Sequence, residues 1–255
     1  QLTINLVNDN ELMNLMIDAG FRHVFIGIET PDEKSLEASS KGQNLKRDLI
    51  ENINLIHEKG FIISGGFIVG FDEDRDDIFD RQIQFIQESG IPLPIVNILK
   101  APPGTELYER IKKENRLSKP FAFLEGETNI VPVMDIEKLY RGFLHVTEEI
   151  YTPSGSYDRI IQFFKKYKYP KTQINVKTPF NAELFAMVFR IVYLLGIKDE
   201  NRGKFWKLIF WAFRNDLKLV DKSVFYAIMM YQMKESHKTL KQHVERELQV
   251  LGKAV

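Results

Sequence analysis

Three times in the first hundred residues the chain repeats one order: helix-spaced apolar positions, a glycine, then a short unbroken apolar run. The units cover residues 11–19, Gly20 and 24–29; 50–59, Gly60 and 61–69; and 78–89, Gly90 and 93–99. Each glycine stands where a helix closes through a left-handed residue. Unbroken apolar runs suit strands covered on both faces. Helix and strand alternating at this spacing predict βαβ units and a parallel sheet. Residues 2–7 read as a strand opening the series, and Thr30-Pro31-Asp32-Glu33 as a capping box with proline at the first helical position. A turn at 101–105 precedes a helix over 106–113, and residues 114–134 read as irregular. Beyond Asp135 the pattern predicts helices over 135–151, 155–167, 181–195, 202–214, 222–233 and 237–251. A break near 152–156 separates an α/β part, residues 1–150, from a mostly helical part, residues 151–255.

Strand side chains alternate between faces. Val24, Ile26 and Ile28 should pack under helices, leaving Phe25, Gly27 and Glu29 on the other face. In the next strand Ser64, Gly66, Ile68 and Gly70 share that second face, and by the same parity Asn5 and Asn97 point to it. Glycine inside a strand marks a close approach. Polar groups around a hollow at the carboxyl end of parallel strands are where α/β folds bind ligands. Structural readings stand beside these. Gly66 could relieve packing against a bulky neighbour, and Glu29 could favour the next helix's positive end. Asp72, Glu73, Asp74, Asp76 and Asp77 read as the acidic first turn of a helix.

The 255 residues are 44% apolar, enough for a sizeable core. Lys plus Arg equals Asp plus Glu at 35 each, so overall charge does not point to nucleic acid. There is no cysteine, which excludes disulfides and thiolate metal sites within this chain. The five histidines show no metal-ligand spacing, and no nucleophile triad or phosphate-cradling loop is present. A cytoplasmic protein is the simplest expectation. Phe205, Trp206, Phe210, Trp211 and Phe213 lie on one helix with Lys204, Lys207 and Arg214. That helix reads either as a bundle helix or as a membrane-surface contact.

Gly66, Ile68, Gly70 and Glu73 fit G-x-I-x-G-x-x-E on a parallel strand, which resembles the fifth-strand motif of radical S-adenosylmethionine (SAM) enzymes. Phe25-Ile26-Gly27-Ile28-Glu29-Thr30-Pro31-Asp32 resembles the fourth-strand segment of their cobalamin-dependent branch. Ser40-Lys41-Gly42-Gln43-Asn44 and Ala101-Pro102-Pro103-Gly104-Thr105 follow in the same order. The helical remainder resembles a C-terminal extension of one group of these proteins, which includes hopanoid methylases.

The resemblance implies an α/β fold: the carboxyl-terminal half of a partial (β/α)6 barrel, about strands 3 to 6, followed by a mostly helical domain. It implies a cobalamin-dependent methyltransferase or related radical enzyme, whose parent protein holds SAM, a 4Fe-4S cluster and cobalamin and acts on a small molecule or lipid. Without cysteines the chain alone is expected to bind none of these and to be inactive. Carried over, Glu29 contacts the ribose or the methionine end, Lys41 the carboxylate, and Gly66 and Ile68 the adenine. Gly70 closes that strand motif, Asn97 faces the same hollow, and backbone atoms at Leu99 and Lys100 meet the adenine edge. None is a chemical catalyst. A peripheral membrane contact and self-association through the first strand's edge are further expectations. The other reading is a non-catalytic helical interaction module attached to an α/β barrel of another enzyme class.

Overall fold

The computed structural model describes residues 2–31, 49–170 and 182–253. Its sheet has three parallel strands in the order β1 (His23–Glu29), β2 (Ile62–Val69), β3 (Leu93–Ile98). Helix α1 (Asn10–Asp18) leads into β1, α2 (Leu49–Glu58) into β2, and α3 (Ile78–Ser89) into β3. All three predicted closing glycines have positive φ: 93° at Gly20, 98° at Gly60 and 69° at Gly90. After β3 comes α4 (Glu106–Lys113), opened by Thr105, whose hydroxyl accepts from the Tyr108 amide. The helical succession is α5 (Ile136–Tyr151), α6 (Pro153–Lys166), α7 (Ala182–Ile191), a π-helical stretch (Val192–Lys198), α8 (Arg202–Asn215) and α9 (Leu219–Lys253). The expected α/β part followed by helices is thus present.

The predicted strand over 2–7 is not. Leu2 makes a single parallel bridge to Ile26, and Ile4–Asn8 is a 3-10 helix. Amides Leu6 and Asp9 bond back to Thr3 and Leu6, which removes them from any ladder. Ile4 and Leu6 are still buried, because a short apolar run can fill the core from either conformation. Asn5 therefore sits exposed on a turn and contributes nothing to the sheet face. The two helices predicted over 222–233 and 237–251 are one helix, α9. Its polar middle, Lys234-Glu235-Ser236, holds no Gly or Pro and continues the helix as a solvent-facing stretch.

One core lies between the sheet's helix-covered face and α1, α2, α3 and α5; it contains Ile26, Ile63, Phe67, Val96 and Phe143. A second core joins α6, α8 and α9 around Phe163, Phe205 and Tyr226, and takes in Ile62 and Leu93 at the amino ends of β2 and β3. The helical part therefore plugs the amino end of the sheet and leaves the carboxyl end to a different set of residues. Arg159, almost wholly buried, ties the two parts together: its guanidinium donates to Gln87 Oε1 at 3.3 Å and to the Ile150 carbonyl at 3.1 Å. Burial lowers its pKa to about 10. At the outer edge of β3 the Val96 amide donates to the Tyr151 hydroxyl at 3.2 Å, and at β1 the Leu2 amide donates to the Phe25 carbonyl at 2.9 Å. Both sheet edges are thereby partly covered.

Candidate functional site

The register brings Gly66, Ile68 and Asn97 onto one face, as predicted. Gly27, Gly66 and Ile95 form one row, and Ile68 and Asn97 pair in the next row towards the carboxyl end. Ser64, Gly66, Ile68 and Asn97 are half-buried, while their neighbours on the opposite parity are buried. This face is open, as a ligand-bearing face must be.

Gly66 does not leave an empty gap. A Cβ there would lie 2.8 Å from Cζ of Phe25, so the Phe25 ring occupies the space. That ring is 37% exposed and forms the apolar floor of the open face. The signal was legible in the alternation of β1, since Phe25 stands in the row opposite its buried aliphatic residues.

Glu29 departs from the simple alternation. The β1–β2 register shifts between Gly27 and Glu29, and Glu29 stands beside Phe67, not beside Gly66. Its φ is +72°, a left-handed conformation rare for residues other than glycine. Its carbonyl accepts from Gln82 Nε2 at 3.4 Å. The bulge takes Glu29 out of the alternation, and the residue is half-buried at the end of the strand. Non-glycine backbone strain of this kind collects at ligand sites.

The exit of β2 is held by its own acids. Asp74 accepts from the amides of Gly70 (2.7 Å) and Phe71 (3.0 Å). Gly70 has φ +98°, which makes the reversal after Val69 accessible to glycine and costly to other residues. Asp72 pairs with both ends of the Arg116 guanidinium, at 2.6 and 3.0 Å, and with Arg110 at 3.2 Å. The hydrogen bonds from Arg116 hold its carboxyl below the usual range. So Asp72 and Asp74 fasten the loop, and none of the five predicted acids lies in the first turn of α3: Asp77 stands at its N-cap position, and its first-turn acid is Asp80. Replacing Asp72 with Asn should destabilise the protein by about 2 kcal/mol at neutral pH, read from the denaturation midpoint. The wild-type advantage exists above the unfolded aspartate pKa of about 3.9 and disappears as pH falls through the lower folded value.

At the exit of β3, Leu99 is buried with Phe71, Ala101, Ile111 and Ile130. Its amide donates to the Val69 carbonyl and its carbonyl accepts from the Thr128 hydroxyl at 2.7 Å. Asn129 pairs with both backbone groups of Ala101, at 2.9 and 2.8 Å. Lys100 is half-buried, which lowers its pKa, and donates to the carbonyls of Ala122 and Leu124. Residues 121–130 thus fold back over the carboxyl end. Thr128, Asn129 and Lys100 carry this geometry, and no periodicity announces it. Lys41 lies outside the described residues.

Among the described residues, Glu127, His243 and Glu247 bring ligand-type atoms within 4.8 Å of one another. Lys119 bonds both carboxylates, at 2.9 and 3.2 Å, and so fills the place a cation would take. This cluster clamps the 121–130 segment to α9.

Comparison with known proteins gives the arrangement a family. Residues 1–86 match the radical SAM superfamily, and residues 105–246 match a domain of unknown function, DUF4070. The chain is 33% identical over 85% of its length to an uncharacterized methyltransferase of Synechocystis, covering 41% of that protein. It is 28% identical over 81% of its length to a hopanoid C-2 methylase of Rhodopseudomonas palustris, covering 40%. To a bacteriochlorophyllide d C-12(1)-methyltransferase of Chlorobaculum tepidum it is 26% identical over 62% of its length, covering 35%. The chain thus spans about two fifths of the curated relatives it matches. It belongs to the radical SAM superfamily, in the group that joins a radical SAM region to the DUF4070 domain.

Proposed function

We propose that this chain supplies the adenosyl-binding part of a cobalamin-dependent radical SAM methyltransferase acting on a small molecule or lipid. In this reading residues 1–150 belong to a partial (β/α)6 barrel and residues 151–255 to its helical extension. The observation that carries it is the carboxyl end of the sheet. There Ile68 and Asn97 pair on the face whose floor is the Phe25 ring, and Glu29 ends β1 in a left-handed conformation. These residue types fit the group: Ile68 offers an apolar wall to a base, Asn97 an amide, and Glu29 an acceptor for ribose hydroxyls or an ammonium. With no cysteine, the chain offers no thiolates for a 4Fe-4S cluster. The cofactors supply the methyl and radical chemistry; this chain's residues bind and orient. Methyltransferases among its relatives support the reaction class.

The test uses the full-length protein reconstituted with iron, sulfide and cobalamin. Glu29→Ala should weaken SAM binding, measured by calorimetry, about tenfold or more, as expected for loss of a charge-assisted contact. Asn97→Ala should weaken it less, and both should lower the yield of methylated product. Wild-type SAM affinity in both variants would remove the reading.

A further inference from the structure

We infer that the outer face formed by α7, the π-helical stretch and α8 docks on an anionic lipid bilayer surface. The first observation is an exposed apolar run in α7. Residues 186–190 are all exposed, including Met187, Val188 and Phe189. An amphipathic helix in a soluble bundle hides its apolar stripe; this one has none hidden over that stretch.

The π-helical stretch that continues α7 packs against α8. Trp206 donates from Nε1 to the Gly196 carbonyl at 2.9 Å, and Gly196 lacks space for a Cβ because the Trp206 ring lies against it. Trp206 stacks on Phe210 at 5.7 Å. So exposed Ile197, next to Gly196, and exposed Phe210 share one surface. Phe213 lies one turn further, and the two phenylalanines are 64% and 66% exposed. The opposite side of α8, Phe205, Leu208 and Ala212, is fully buried in the second core. The aromatic residues of α8 therefore divide: Phe205, Trp206 and Trp211 pack on the bundle, and Phe210 and Phe213 face outward.

Charge selects the occupant. Residues 201–215 carry Arg202, Lys204, Lys207 and Arg214 and no carboxylate, within a chain whose charges balance at 35 each. Arg190 adds a cation within α7. The nearby acids Asp199 and Glu200 share one cation, Lys234, at 3.4 and 2.8 Å, which offsets one of their two charges. Lys207 is partly offset, by Asp158 at 3.1 Å. Aromatic and aliphatic side chains rimmed by Lys and Arg are what a negatively charged bilayer surface takes up, whereas the cores of protein interfaces are depleted in charge. The contact is peripheral, since among the described residues no helix is long and apolar enough to cross a membrane.

The experiment is flotation of the full-length protein with vesicles of phosphatidylcholine alone and of phosphatidylcholine mixed with phosphatidylglycerol. Binding is expected to the mixed vesicles and to fall when salt shortens the screening length to about 3 Å, near 1 M. Phe210→Ser with Phe213→Ser should lower partitioning at least about tenfold, since two aromatic side chains no longer enter the interface. Their circular dichroism and unfolding midpoint should stay at wild type, because neither residue packs in the core. Arg190→Glu with Arg214→Glu should reduce binding to mixed vesicles selectively. Protein that stays in the soluble fraction with both vesicle types overturns the inference. So does a concentration-dependent dimer abolished by Phe210→Ser and Phe213→Ser, which assigns the face to a second copy of the chain.

Discussion

Replacing Gly142 with alanine is expected to destabilise the protein by about 3 kcal/mol, although the same change in an open helix stabilises by about 1 kcal/mol. Gly142 lies inside α5, and a Cβ there would fall 2.2–2.4 Å from three carbons of the Phe79 ring. Phe79 is buried near the start of α3, so the ring cannot swing into solvent without leaving the core. The two helices meet here at backbone distance. The measurement is a double-mutant cycle in denaturant, with m-values compared so that the states being weighed remain the same. In a Phe79→Ala background the cost of Gly142→Ala should vanish and turn into a gain of up to about 1 kcal/mol. Equal costs in both backgrounds would show that Phe79 is not what requires the glycine. The contact bears on the site because Phe79 follows directly on residues 70–77, the loop that Asp72 and Asp74 fasten at the exit of β2. Moving α3 off α5 would move that loop.

The elements that the sequence announces are those whose signals are local. Helix α4 has its predicted limits because a Pro-Pro-Gly turn and a Thr cap stand directly before it. The three closing glycines announce themselves because a left-handed backbone is a single-residue requirement. The motif residues Gly66 and Ile68 lie on a parallel strand, as their resemblance implies, and Gly70 forms the left-handed turn directly after it. What the pattern cannot carry is made by contacts between distant segments. The bulge at Glu29 shifts register inside a run that reads as perfect alternation. The Gly66 space is taken by Phe25 from the neighbouring strand, the packing alternative that strand glycines always leave open. Arg116, Thr128 and Asn129 stand in a stretch without periodicity, yet they fix the exits of β2 and β3 through side-chain bonds. His243 and Glu247 are one turn apart on α9 and meet Glu127 only because residues 121–130 fold back.

Acidification should loosen the protein through His57 before the carboxylates are protonated. His57 is fully buried at the end of α2; its Nδ1 donates to the Phe61 carbonyl at 3.0 Å, and its ring meets Phe163 of α6 edge-on at 4.8 Å. Nε2 is buried and makes no hydrogen bond. Burial lowers the folded pKa to about 4 from 6.5, against a smaller opposing effect of the bond to Phe61. Between those values the unfolded chain binds a proton that the folded chain does not. Stability from this group is therefore complete above pH 6.5 and declines as pH falls towards 4. At 1.36 kcal/mol per unit the decline comes to about 3 kcal/mol. Denaturation midpoints at pH 7.5, 5.5 and 4.5 should fall accordingly in the wild type. In His57→Gln, whose amide can still donate to Phe61 but does not titrate, the fall over this range should shrink to the smaller part left by His23 and His237, whose pKa values burial also lowers. A variant as acid-sensitive as the wild type would move the cause elsewhere, since the Asp72 pairs act only at lower pH. Because His57 joins α2 and the amino end of β2 to α6, its protonation charges the seam between the α/β part and the helical part. The carboxyl end of the sheet, where Glu29 and Asn97 stand, lies away from that seam and should keep its local structure until the whole domain unfolds.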